Sequence, residues 1–230
     1  MPFFYAFLRT MKNNFNIRCY NIYYTIFEQI KKIMKKHILT LAILLAGFVA
    51  TAAPKAKSAN YKVDGTASSI NWLAKKVTGQ HGGTIALTSG GLTIANDNIT
   101  GGSFIIDMNS IKCTDLTGEW ADKLIGHLKS DDFFSIAKNP TAQLNINKVT
   151  YESANKANIE ANLTIKGITN AITFPAAISK KGDIIVAVST IRIDRTKFDI
   201  KYGSKSFFES IGDKAIDDEF EITVNLVAKK

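Results

Sequence analysis

The stretch Glu119-Trp-Ala-Asp-Lys-Leu-Ile-Gly-His-Leu-Lys-Ser-Asp-Asp-Phe-Phe-Ser-Ile-Ala-Lys-Asn-Pro140 decides how this chain is read. Trp120, Leu124 and Leu128 fall at i, i+4 and i+8, the spacing of one helical face, while Asp122, Lys123 and Lys129 point elsewhere. The spacing predicts one short helix over about 119–130, followed by the paired Phe133-Phe134, with Pro140 beyond its end. Everything around it alternates apolar and polar residues. A lone helix embedded in antiparallel strands points to a closed or nearly closed barrel whose interior can hold something apolar. Such a chain is a carrier or binder more than an enzyme.

On the N-terminal side, Ile70 and Trp72 alternate with Asn71 and Leu73 and lead into glycines between Gly79 and Gly83. Ile85 and Leu87 follow, and Ser89-Gly90-Gly91 offers a tight hairpin into Leu92 and Ile94. Asn96-Asp97-Asn98 supplies the next turn, and Phe104, Ile106 and Met108 alternate with polar neighbours. On the C-terminal side the same period runs through Leu144 and Ile146, Ile159 to Ile165, and Ile172 to Ala176. It continues from Ile184 to Ile193 and ends in Phe220, Ile222, Val224, Leu226 and Ala228, the cleanest run in the chain. About eight strands with short connections favour antiparallel neighbours. An up-and-down barrel and a two-sheet sandwich both fit; the long strands favour the barrel, which hides its edges.

The net charge of +9 overstates how basic the domain is. Seven basic residues and one acid precede residue 53, which leaves 22 Lys/Arg against 19 Asp/Glu and no reason to invoke nucleic acid. The excess belongs to an export signal. Met34-Lys-Lys-His37 is a positive start, Ile38 to Val49 an apolar run, and Ala50-Thr-Ala52 a small-x-small cleavage site, giving a signal peptide over 34–52. Phe48 stands where a lipoprotein needs Cys, so the expected mature chain is periplasmic or secreted, soluble and unacylated. Residues 1–33 show no clean period and read as an extension upstream of the true start, Met34; residues 53–60 read as a linker and 61–230 as the domain. Cys113 is then the sole cysteine, and a 178-residue domain buries a sufficient core without a disulfide.

Chemistry-bearing groups are few. The mature part holds two histidines, His81 and His127, so no His/Cys metal set can be completed without several carboxylates, and no metal or cofactor is expected. His127 reads as a surface or capping imidazole; His81, in Gln80-His-Gly-Gly83, is either a hydrogen-bonded turn residue or a ligand contact. Asp131-Asp132 and Asp217-Asp218-Glu219 lack any nucleophile, phosphate loop or metal spacing and read as solvated turns. Aromatic residues are spread over the apolar faces, and an eight-stranded barrel of such residues can pack solid or hold one ligand.

These segments resemble the YceI family of exported lipid-binding proteins. The resemblance runs from Tyr61 to Val227 and rests on Ser69-Ile-Asn-Trp72, Thr78-Gly-Gln-His-Gly-Gly-Thr84, Gly102-Ser-Phe-Ile-Ile-Asp107 and His127-Leu-Lys-Ser-Asp-Asp-Phe-Phe134. It continues through Asn139-Pro-Thr-Ala142, Leu163-Thr-Ile-Lys-Gly-Ile168, Arg192-Ile-Asp-Arg-Thr-Lys-Phe198 and Asp217-Asp-Glu-Phe-Glu-Ile222. Ser135, where an acid commonly follows the Phe pair, and Asn139, where an aromatic commonly precedes the Pro, depart from the pattern. The resemblance implies an all-β, antiparallel, eight-stranded lipocalin-like barrel with one inserted helix. Its implied ligand is a polyisoprenoid, an isoprenoid quinone or a similar long-chain fatty amphiphile. By resemblance, Trp72, Phe104, Ile106, Leu128, Phe133, Phe134, Leu163, Phe174 and Phe198 form lumen or mouth walls, and His81 and Arg195 are head-group donors. Transient membrane contact and a homodimer are the other expected associations. The rival expectation is a solid-cored barrel acting through its outer surface as an interaction or stress-response module.

Overall fold

The computed structural model describes residues 22, 24–35, 58–209 and 211–230. They fall in two units, 1–55 and 56–230. In the first, residues 24–35 form a helix, α1, exposed along its length, where no regular period was expected. The expected signal peptide lies outside the described residues apart from Met34 and Lys35, the last two of that helix.

The second unit is a closed antiparallel barrel. Its strands are β1 (Ser58–Val63), β2 (Ser69–Lys76), β3 (Gly79–Ala95), β4 (Asn98–Cys113), β5 (Thr141–Ser153), β6 (Lys156–Ile165), β7 (Ile168–Lys181), β8 (Ile184–Asp194) and β9 (Ile216–Lys229). The nine strands make eight staves. β1 pairs with the end of β3 through Ser58↔Ala95 to Lys62↔Gly91, and with the end of β9 through Val63↔Ala228. β2 then takes the same place between β3 and β9 through Ile70↔Ile85 and Ile70↔Val224. One stave is therefore broken at residues 64–68, where Asp64 accepts hydrogen bonds from Thr66 and Ala67. The expected linker is shorter than 53–60, since Ser58–Asn60 already belong to β1. Closure comes from β3 pairing with β4, so the sheet has no free edge.

Up-and-down topology sorts the connections onto two ends. One end carries tight turns. Asn96 (φ 50°) and Asp97 (φ 65°) make a two-residue hairpin of the kind whose twist suits antiparallel strands. The other end carries the two long connections: residues 114–140, which contain α2 (Gly118–Lys129), and residues 195–215. We call these the floor and the mouth. The hairpin expected at Ser89-Gly90-Gly91 is absent, and β3 runs straight through it. Those glycines serve packing instead. A Cβ at Gly90 would lie 2.6 Å from the Phe104 ring across the β3–β4 ladder, so the missing side chain is what admits the aromatic.

Among the described residues the buried core runs from Tyr61 to Ala228, all of it in the second unit. α2 lies across the mouth with Leu124, Ile125 and Leu128 packed against this core. Trp120 departs from the expected face: it is 71 % exposed, because it sits in the first helical turn, ahead of the part that meets the barrel.

Candidate ligand-binding site

Inward-facing side chains along β9 change character from floor to mouth. On β9, Ala228 and Leu226 are buried, whereas Val224, Ile222 and Phe220 point the same way yet are only half-buried. On β5, Leu144 and Ile146 likewise face inward and are half-buried. Side chains that point into a barrel without being covered border empty space. The floor half is solid, and the mouth half encloses a hollow of about 220 Å³.

Of the 34 residues around this hollow, all but Ser189, Arg195 and Asp217 are apolar. The Ser189 hydroxyl donates to the Pro175 carbonyl at 2.6 Å, and the Trp72 indole N–H donates to the Lys112 carbonyl at 3.1 Å. That indole bond depends on Gly83, where a Cβ would lie 1.7 Å from the same carbonyl oxygen. The wall therefore offers hydrocarbon and little else. Apolar cavities of this kind stay dry and take up apolar guests.

Two segments cap the hollow. From 114–140 come Leu128, Phe133 and Phe134; from 195–215 come Arg195 and Ile200. The caps meet through rings: His127 stands edge-on to Phe133 at 4.9 Å and to Tyr202 at 4.6 Å, and its Nε2 lies 3.0 Å from Asp132. Lys166, in the β6–β7 turn, ties them together by donating to the carbonyls of Asp131 (3.3 Å) and Asp199 (3.0 Å). Ser135 is buried at φ 48°, donates through its hydroxyl to Asp131, and accepts at its carbonyl from the Asn139 backbone and side-chain N–H groups. The two departures from the family pattern thus hold each other. Lys138, through its hydrogen bond, and then Ser135 keep the Asp131 carboxyl below its ordinary range.

Nine of the eleven residues expected at the site border the hollow: Trp72, Phe104, Ile106, Leu128, Phe133, Phe134, Leu163, Phe174 and Arg195. Phe198 does not; it is 1 % exposed and belongs to the packed core under the second cap. His81 lies on β3 away from the hollow, with Nδ1 2.8 Å from Asp115. Asp115 also accepts from the Gly82 N–H and the Cys113 thiol; burial would raise its carboxyl, but these bonds outweigh it and hold it at about 2.

Arg195 borders the hollow in a role different from head-group donor. It is 4 % exposed and donates to the carbonyls of Asp217 (2.9 Å), Ile200 (2.8 Å), Tyr202 (2.8 Å) and Ile216 (3.0 Å), with Asp218 at 3.5 Å. Burial pushes the guanidinium down and Asp218, Asp194 and Asp217 oppose that. The side chain organises the second cap from inside, with four of its five N–H donors on backbone carbonyls and the guanidinium beside Asp218. Sequence reasoning also left out Ile191, Ile193, Ile216, Phe220, Ile222 and Val224 as lumen residues. The alternation on β8 and β9 was legible, but which face pointed inward followed from register.

An antiparallel barrel of eight staves, solid at one end and hollow with apolar walls at the other under a helical cap, is a lipocalin-like barrel. The chain belongs to the YceI-like family: the family model described as YceI-like domain matches residues 61–228. A UPF0312 protein of Pseudomonas aeruginosa (strain LESB58) is 30 % identical over 147 residues, covering 63 % of this chain and 74 % of the relative. Among solved structures, BcnA of Burkholderia cenocepacia matches with TM-score 0.60 and 21 % identity over 73 % of this chain and 99 % of its own. A polyisoprenoid binding domain from Saccharophagus degradans, implicated in plant cell wall breakdown, matches with TM-score 0.57 and 17 % identity over 74 % and 97 %. These two likenesses establish the shared fold.

Proposed function

We propose that this protein is an exported carrier that holds a polyisoprenoid, isoprenoid quinone or similar long-chain amphiphile in its lumen. It acts without catalysis and without a resident cofactor, in the periplasm or outside the cell. The observation that carries this reading is the wall: an apolar hollow whose bordering polar side chains Ser189 and Arg195 are both engaged by the protein. Such a site binds by transfer of hydrocarbon out of water, at about 0.8 kcal/mol per methylene before ordering costs. Ligand length is sensed by the distance from mouth to floor, and any polar head stays at the rim near Asp217. The S. degradans domain, which shares the fold, supports a polyisoprenoid tail. Export is supported by the basic, apolar and small-residue order of residues 34–52. No helix among the described residues is long and apolar enough to cross a membrane.

Native mass spectrometry of the purified protein, with extraction of whatever it carries, tests the reading. The expected result is one long-chain lipid per barrel, released by organic solvent. A protein that arrives empty and takes up no long-chain lipid when offered one would overturn it.

A further inference from the structure

Helix α1 sorts its side chains onto two faces. Ile26, Ile30 and Ile33, with Ile22 just ahead of the helix, fall at i+4, i+8, i+11 and i, and Phe27 and Met34 lie beside them. Lys31, Lys32, Lys35 and Glu28 occupy the other side. The six apolar side chains are between 46 % and 60 % exposed, so the stripe faces solvent and not a core. Lys31 donates to the single acid, Glu28, at 3.2 Å and stands 4.6 Å from the centre of the Phe27 ring, at the boundary between the faces.

The charge around this helix has one sign. With Lys55, residues 1–55 hold eight Lys/Arg against Glu28 alone, and the next acid along the chain is Asp64. The apolar run from Ile38 to Val49 follows the helix directly. A helix that is apolar on one side and rich in lysine on the other lies in the plane of a bilayer. Its apolar face enters the boundary between head groups and acyl chains, and the lysine stems reach along it with their ammoniums at the phosphates. Each lysine near an anionic surface adds attraction that salt screens.

From this pattern we propose that α1 is an interfacial helix that binds an anionic lipid bilayer, lying flat on the leaflet the precursor meets before export. Cleavage after Ala52 removes it together with the apolar run, so it acts on the precursor and leaves the mature carrier unchanged. It makes residues 22–33 a working part of that precursor, in place of the extension upstream of Met34 expected from the sequence. A helix held flat presents the following apolar run to the bilayer and keeps the basic residues on the side that is not translocated. The inference is independent of the lumen and of what it carries.

Flotation of the full chain with phosphatidylcholine vesicles, with and without phosphatidylglycerol, tests this. The same chain begun at Met34 keeps the apolar run and the barrel, and so isolates what the helix adds. The full chain is expected to bind phosphatidylglycerol vesicles ~10-fold or more tightly than the shorter one, by a margin that shrinks as salt rises. The double substitution Ile26→Ser, Ile30→Ser should abolish that margin, since two anchors leave the interface while Ser and Ile have about equal helix propensity. Lys31→Gln, Lys32→Gln should lower the preference for phosphatidylglycerol several-fold. Ile184→Ser, Val188→Ser, two exposed aliphatic positions on the barrel, should change nothing. Equal binding by the two chains, or a margin that ignores phosphatidylglycerol or survives Ile26→Ser, Ile30→Ser, would overturn the interfacial helix.

Discussion

Ala187→Phe places a phenyl ring at the floor of the hollow. Ala187 lies on β8 opposite Ile178 and Leu226, half-buried and pointing inward, where the solid half gives way to the open one. A cavity of ~150 Å³ accepts a benzene ring, so a ring here takes up the greater part of about 220 Å³. Two effects follow with opposite signs. Burying the new ring in space already apolar and empty stabilises the barrel by about 1–2 kcal/mol, raising Tm by roughly 2–8 °C. The ring also shortens the lumen by about one isoprene unit. A ligand that reaches the floor loses about 3 kcal/mol of transfer free energy, or ~100-fold in affinity, and one too short to reach it loses almost nothing. Thermal unfolding and dye displacement by isoprenoids of two chain lengths read both numbers. A fall in Tm of several degrees, together with equal loss of long and short ligands, would show an overpacked site and refute the hollow.

Two other predictions follow from the caps and the strand ends. Arg195→Met should cost about 3 kcal/mol in denaturant unfolding, because one buried and three part-buried carbonyls lose their donor and the buried Asp218 oxygen its cation; Arg195→Lys should not restore it, since one ammonium cannot span four carbonyls. Asp115, held at about 2, stabilises the fold above its unfolded value near ~3.9 and loses that contribution as pH falls through about 2. With the side chain 40 % exposed the effect is at most about 1 kcal/mol. Urea unfolding at about pH 5 and about pH 2 should show a smaller difference in Asp115→Asn than in the parent, and equal differences would refute the assignment.

Much of the architecture was legible because period-2 alternation and short connections are local properties. The Asn96-Asp97 turn, the strand from Ile184 and the helix near residue 119 all appear close to where the residues put them. The misreadings share one cause, which is that neighbours in space do not show in local composition or spacing. Ser89-Gly90-Gly91 has the composition of a hairpin, but its glycines make room for Phe104. Arg195 has the chemistry of a head-group donor, but the backbone of residues 200–217 claims its donors. Trp120 fits the helical face by spacing, but the barrel ends before reaching it.

The sequence by itself determined the antiparallel strand content, the inserted helix, the apolar stock for an interior and the family. Each follows from neighbours along the chain or from ordered motifs. Tertiary structure alone decided that one half of the barrel is packed and the other hollow. The same Ile, Leu and Phe can fill a space or line it. The difference lies in how far apart closure and register hold the facing strands, and alternation along a single strand does not encode that distance.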